Sequence, residues 1–352
     1  MNFREEFAQI IENIKVGRDM PEAEVKKATQ PMLDFIGKNM PEQLFKFRGC
    51  TEYSLDAFAK DELWLSKASL FNDLHDSLFF FDKANILKTI DQMYSPGNES
   101  RVAAILKEAQ DSLKCLHSVS PEQRQRLSSI LSSLDANQLI DMIQLAIPEY
   151  SSFLDKCFSE IKEAIRNNTK MVCLSESIKS PLMWAHYAEN NKGFALGYNF
   201  RNNEITQCSN CPNRSCGDIK LATIYPVLYS DKRFDATDYG QWYVQQCISA
   251  IAGIPQTLYG DDFLLVKAAL HKSKDWEYEN EWRIICSTPN PTIEANDRYP
   301  IKKQPVAIYF GCQISDIYKK ILTQIADEKG LAKYQMYVKH YSERYELDYD
   351  PI

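Results

Sequence analysis

The segment from Lys272 to Cys286, KSKDWEYENEWRIIC, constrains the fold of this chain more than any other stretch. Within it Glu277, Glu279 and Glu281 recur at every second position, alternating with Trp276, Tyr278, Asn280 and Trp282, before Arg283 and two isoleucines. A period of two is that of a half-buried strand, with the carboxylates on one face and the rings mostly on the other. Three like charges in a row repel one another, so cations are expected opposite them. Two readings are open: an edge strand kept solvated by its charge, or a strand that presents at least one glutamate to a cleft.

The flanking chain supplies both strands and helices. Residues 2 to about 39 carry helical periodicity, with Phe7, Ile10, Ile11 and Ile14 on one face and a second helix opened by Pro21, and so predict an N-terminal helical cap over residues 1–40. LFKFR, from Leu44, reads as a strand delivering Arg48; Ser54 is placed as N-cap of the short helix after it. Leu63 to Leu65 is strand-like and runs into Ser66, and Phe71-Asn72-Asp73 with Asp76 reads as a polar turn, whose Asx chemistry accounts for Asn72 and Asp73 without a catalytic role. Residues 84 to about 168 read as helices with breaks at Tyr94–Gly97, Val119–Pro121 and Pro148, an insertion expected to pack beside a sheet or to form a lid.

From Lys170 the strand signal returns. MVCLSES ends at Ser175, a helical turn entered at Pro181 carries Trp184, His186 and Tyr187, and FALGYNF holds Gly193 and Gly197, which admit close backbone approach. LATIYPVLYS reads as a strand with an edge or bulge at Pro226, and Phe234 to Ser273 as largely helical. QPVAIYFG, an amphipathic helix closed by Gly330, and KYQMYVKHYS finish the chain. Strands interrupted by helical blocks predict an α+β fold, a single domain over 41–352 with its insertion at about 84–168.

Composition removes some functions. A formal net charge of -7 and a pI near 5.4 argue against general binding to a nucleic-acid backbone, which needs a basic surface. The sequence has no apolar run of the roughly eighteen residues a membrane helix needs and no basic, apolar leader after Met1, so a cytoplasmic protein without a membrane partner is expected. Ten cysteines without a signal peptide suggest reduced thiols. Cys208, Cys211 and Cys216 cluster in a loop over about 200–220, and the pair Cys208 and Cys211 has knuckle spacing, but a structural zinc there would need a fourth ligand from far away; a reduced loop is the alternative.

Polar residues at element ends form the candidate site: Lys46, Arg48, Ser66, Asn72, Asp73, Ser175, His186, Tyr187, Lys274, Glu279, Glu281 and Arg283. The chain has no Gly-rich phosphate loop, no Gly-x-Ser-x-Gly and no kinase signature. Each residue also has a structural reading. Arg48 would neutralise a glutamate, His186 would be a hydrogen-bonded core histidine, Tyr187 would anchor its helix, and Trp276 and Trp282 would be core.

FKFRG with LWLSKASLFNDLHDS, then CLSES with LMWAHYAENNKGFALGY, then SKDWEYENEWRI and AIYFG resemble, over about Leu44 to Glu346, the uncharacterised bacterial family numbered twenty-nine seventy-one among the domains of unknown function. In layout the chain is also similar to ADP-ribosyltransferase folds, which implies a mixed, mostly antiparallel sheet core. That similarity implies NAD as substrate and a macromolecular acceptor. It makes Arg48 the dinucleotide anchor, with Ser66, Asn72, Ser175 and Trp184 around the cofactor and Ser175 or Tyr187 beside the nicotinamide ring. It makes Glu281 the catalytic carboxylate, with Glu279, Tyr187 and His186 assisting. The corresponding expectation is a transferase or NAD glycohydrolase acting as a toxin or phage-defence effector. Two rivals stand beside it: a sensing or partner-binding module using the helical insertion, and a metal-dependent nuclease through Asp73, Glu279, Glu281 and Lys274.

Overall fold

The computed structural model describes residues 2–17, 20–115, 120–201, 223–251, 260–286 and 298–352. Helices α1 (Phe3–Glu12) and α2 (Glu22–Asn39) precede strand β1 (Leu44–Arg48), helix α3 (Glu52–Ala59) and strand β2 (Glu62–Lys67). Helices α4 (Lys83–Met93), α5 (Glu99–Cys115), α6 (Pro121–Ser133) and α7 (Ala136–Asn168) form the insertion. Then come β3 (Lys170–Ser175), α8 (Pro181–Tyr187), β4 (Phe194–Tyr198), β5 (Thr223–Pro226), β6 (Leu228–Ser230), α9 (Thr237–Ile251), α10 (Leu264–Leu270), β7 (His271–Ser273) and β8 (Glu281–Cys286). The chain closes with β9 (Arg298–Lys302), β10 (Ala307–Phe310), α11 (Asp316–Glu328), β11 (Ala332–Val338) and β12 (Leu347–Pro351).

The fold is α+β around a mixed, mostly antiparallel sheet. Along it run β12, β11, β10, β4, β1 and β3; only β10 and β11 pair in parallel within it. Strand β3 is the junction. Its one edge pairs with β8 along its whole length, from Lys170 opposite Cys286 to Ser175 opposite Glu281. The other edge is shared, β2 pairing at Lys170 and Met171 and β1 only at Ser175 opposite Phe45. Residues 172–174 therefore face a split between β1 and β2, and the candidate site lies there.

Apolar faces hold the layers together. Phe7 and Ile11 of α1, Met32 and Ile36 of α2, Phe58 of α3 and Leu322 of α11 pack on one face of the sheet with Leu44, Leu65, Val172, Leu196, Ile284 and Phe310. On the other face Trp184 and Met183 of α8 meet Phe45, Phe47, Ala195 and Tyr309. The insertion joins through a separate core in which Phe79, Phe81, Ile86, Leu154 and Phe158 pack against Val244 of α9 and Leu264 of α10. It lies beside the sheet, with α7 against β2, and none of its described residues lines the cavity described below.

Several expectations need correction. The period-two segment is not one strand: Lys274–Glu279 winds into a 3-10 turn, Asn280 takes a left-handed conformation at φ 44°, and β8 begins only at Glu281. Asparagine tolerates that conformation because its short amide bonds locally. Ser54 is not the N-cap of α3; Thr51 is, its side chain accepting from the Ser54 amide. Helix α7 runs through Pro148 without a break, held on either side by buried Ile140, Leu154 and Phe158, whose packing outweighs the lost backbone bond. Capping boxes at Ser120/Gln123 and Asp135/Gln138 start α6 and α7. No helix among the described residues is long and apolar enough to cross a membrane.

Candidate functional site

Within the split, the main-chain carbonyl of Cys173 has no strand partner on that edge, and Lys46 reaches over from β1 so that its Nζ donates to it at 2.9 Å. A cavity of about 130 Å³ opens around this contact. Phe45, Phe47, Phe71, Leu174 and Met183 form its apolar walls, and Lys46, Asn72, Cys173, Ser175, Tyr187, Lys272, Glu279 and Glu281 bring polar groups to it.

Glu279 stands between three elements. Its Oε1 accepts from the Tyr187 hydroxyl at 2.5 Å, and its Oε2 from Lys272 Nζ at 2.5 Å. Asn72 Nδ2 in turn donates to the Tyr187 oxygen at 3.1 Å. Ser175 Oγ donates to the Glu279 carbonyl at 2.6 Å, which pins the 3-10 turn to the end of β3.

Glu281 is enclosed more completely. Lys272 Nζ donates to its Oε2 at 3.0 Å, while Arg283 Nε and Nη2 donate to Oε1 and Oε2 at 2.7 and 3.1 Å. Arg283 also grips Asp76, with Nη1 to Oδ1 at 2.9 Å and Nη2 to Oδ2 at 2.6 Å. The cations that the glutamate pattern calls for are thus Lys272 and Arg283, both buried. The helical cap supports the same point from behind: Arg4 Nη1 donates to the Glu281 carbonyl at 3.1 Å, and the Glu281 amide donates to the Tyr229 hydroxyl at 2.8 Å.

The two glutamates differ in acidity because their partners differ. Burial and the neighbouring Glu281 charge push the Glu279 carboxyl above its ordinary value, with Lys272 only partly opposing. Burial works against ionisation of Glu281 too, but Arg283 and Lys272 together outweigh it and hold that carboxyl well below the usual range. A proton entering this pair therefore resides on Glu279. Burial and the Glu279 charge push the Tyr187 phenol up. Lys46 is displaced in the other direction, its ammonium disfavoured by burial and by Arg48, and favoured by Cys173, Glu281 and Glu279.

The structure brings Lys46, Asn72, Ser175, Tyr187, Glu279 and Glu281 to one cavity and leaves other sequence candidates outside its lining. Arg48 turns its Nη2 to the Glu62 carbonyl at 3.5 Å and does not neutralise either glutamate. Trp184 is wholly buried, its Nε1 donating to the Ile178 carbonyl at 2.7 Å, and packs edge-on against Phe47 at 5.1 Å. His186 is exposed on α8, beside the Tyr278 ring, and is no core histidine. Ser66 sits on β2 opposite Met171 and Arg298. Asp73 makes the Asx turn its sequence suggests, accepting from the His75 amide at 2.8 Å, and exposed Lys274 pairs with Asp231. Among the described residues no group of three or more His, Cys, Asp or Glu side chains is placed to hold a metal ion. Cys208, Cys211 and Cys216 lie outside the described residues.

Lys272 and Asp76 are the members that sequence reading missed as site residues. Lys272 is seven and nine positions before its partners, and only the 3-10 turn folds it back onto them. Asp76 was legible as a turn residue, but its partner Arg283 is 207 positions away.

Both glutamates of this site and the residues that hold their carboxylates, Tyr187, Lys272 and Arg283, come from one portion of the chain. Residues 183–284 match the family model described as protein of unknown function (DUF2971). The chain resembles DUF2971 over a span that contains Met183, Tyr187, Lys272, Glu279, Glu281 and Arg283. The match is shorter than the Leu44 to Glu346 resemblance expected from the motifs, and β1 and the Asn72–Asp76 turn fall before it. Comparison with curated proteins and with solved structures gives no match.

Proposed function

We propose that the cavity receives the nicotinamide ring end of NAD and that the protein cleaves the bond between that ring and the ribose. The observation that carries this reading is the placement of Glu279. It is a buried carboxylate positioned by Tyr187 and Lys272, in a cavity whose other walls are Phe45, Phe47 and Phe71. Aromatic and aliphatic walls suit a flat ring. A volume of about 130 Å³ is below the roughly 300–1,000 Å³ of sites that enclose a whole small molecule, so only the ring end enters and the rest of the dinucleotide lies across the opening.

In this reaction the carbon–nitrogen bond breaks and its electron pair leaves with the ring as neutral nicotinamide. Positive charge develops on the ribose, and a carboxylate beside it stabilises that charge. Glu279 takes this role in place of Glu281, whose two oxygens are already held by Lys272 and Arg283. Water or a macromolecular nucleophile then bonds to the ribose carbon and gives its proton to Glu279. The motif order read from the sequence, which resembles that of ADP-ribosyltransferases from Tyr187 to Glu279, supports this reading, and a cytoplasmic toxin or phage-defence effector is the setting that fits it. Incubation of the purified protein with NAD should release nicotinamide, and Glu279→Gln should lower the release at least about 100-fold. Equal release by the variant contradicts the assignment.

A specific surface favours a second reading, a partner-binding module. Met142, Leu145 and Phe153 recur at helical spacing on α7 and are 57%, 81% and 45% exposed. Replacing all three by serine would abolish a partner's binding under this reading and leave nicotinamide release unchanged under the first.

A further inference from the structure

Lys46 has no assigned role in that reaction, and its surroundings are unusual for a lysine. It is the polar residue in the middle of β1, LFKFR, between two phenylalanines that line the cavity. Among the described residues its ammonium pairs with no carboxylate within salt-bridge distance, and its hydrogen bond is to the Cys173 carbonyl. The nearby acids are committed elsewhere, Glu279 to Tyr187 and Lys272, and Glu281 to Lys272 and Arg283. The titratable groups facing it are Cys173 on β3, Arg48 on its own strand, and Glu279 and Glu281. Burial and Arg48 favour the neutral amine, and the other three oppose them less strongly.

We infer that Lys46 is a nucleophilic amine that captures small apolar carbonyl compounds in this cavity as imines. The placement carries the inference: an amine in the split between β1 and β2, among Phe45, Phe47, Phe71 and Met183, with Glu279 in the same lining, while the other lysine there, Lys272, is held by Glu279 and Glu281. A cavity of about 130 Å³ admits an aldehyde or ketone of a few carbons. The lone pair of Nζ attacks the carbonyl carbon, and the carbonyl π pair moves to oxygen, which takes up a proton. Glu279, which keeps a proton more readily than an ordinary carboxyl, protonates the hydroxyl as it departs as water. The proton on oxygen comes from the attacking nitrogen; the nitrogen pair then forms the C=N bond, and the protonated imine returns its remaining proton to Glu279. No oxidant or reductant is consumed. The inference does not depend on dinucleotide cleavage, although both ligands would occupy one space.

The test uses propanal with sodium cyanoborohydride, which reduces an imine to a stable propylamine, on the full chain at pH 7, with peptide mass spectrometry at each lysine. Exposed Lys60 and Lys274, whose ammonium groups are stabilised by Asp56 and Asp231, serve as internal references. Lys46 is expected to be labelled at least about tenfold faster than either, to lose that advantage in denaturant, and to be labelled more slowly in Glu279→Gln while the references are unchanged. Labelling of Lys46 no faster than Lys60 and Lys274 overturns the inference. Protection of Lys46 by NAD would support both proposals. Fast labelling of Lys46 without such protection would uphold this one and count against the dinucleotide reading.

Discussion

The Tyr187 hydroxyl donates to Glu279 Oε1 at 2.5 Å, tying helix α8 to the 3-10 turn through a single proton. The bond favours the ionised carboxylate and so restrains the upward displacement that burial imposes on Glu279. Tyr187→Phe should raise the Glu279 carboxyl further and cost about 1.5–3 kcal/mol of stability, the range for a hydrogen bond to a charged group. Carboxyl NMR titration and denaturant unfolding report the two effects. A Glu279 titration that does not move in the variant would contradict the role given to this bond.

Asp76 and Arg283 form the deepest ion pair of the site, both side chains at most 1% exposed. Their worth lies in mutual compensation, since removing one partner strands the other charge in the interior. Asp76→Ala should therefore destabilise the protein by about 3–5 kcal/mol, read from urea or guanidinium unfolding. A loss below about 1 kcal/mol would mean that the remaining Glu281 contact satisfies Arg283 alone.

The two glutamates give opposite pH signatures. Glu281 has a folded value below the ordinary 4.5, so its contribution is present above about pH 4.5 and is lost as pH falls toward the folded value. Glu279 has a folded value above 4.5, so its contribution is full below that pH and is lost as pH rises through the folded value. Between pH 4.5 and 7 the stability of Glu279→Gln relative to wild type should rise with pH; unfolding curves across that window check the sign. A flat or falling difference would contradict the raised carboxyl.

Two glycines separate close approach from mere permissiveness. A Cβ on Gly193 would lie 2.1 Å from the Arg48 carbonyl oxygen and 3.0 Å from that of Ala188, whereas one on Gly37 in α2 would meet nothing within 4 Å. Gly193→Ala should cost roughly 3 kcal/mol or more, and Gly37→Ala should stabilise by roughly 0.5–1 kcal/mol. Thermal unfolding of both variants distinguishes them, and equal midpoints would remove the steric argument.

Much of the architecture was legible because it rests on local patterns. The apolar spacing of α1 and the buried run ending at Ser175 each carry their own instruction. The charge pattern of Glu279 and Glu281 also pointed to neighbouring cations before any were located. What local pattern could not supply was the turn between them. Alternation predicts a strand from Trp276 onward, but the Ser175 contact and the left-handed Asn280 replace it with a 3-10 turn that brings Lys272 back. The split between β1 and β2 along β3 is a property of three strands distant in sequence, so Lys46 could be named as a candidate but its contact with the Cys173 carbonyl could not be read.

The most direct test of the cavity's role is calorimetric titration of the folded wild-type protein and Glu279→Gln with NAD, under conditions where nicotinamide release is followed in parallel. Entry of the ring end predicts one binding site per chain in both proteins, with release confined to the wild type. Absence of binding to the folded wild-type protein would contradict the dinucleotide reading outright.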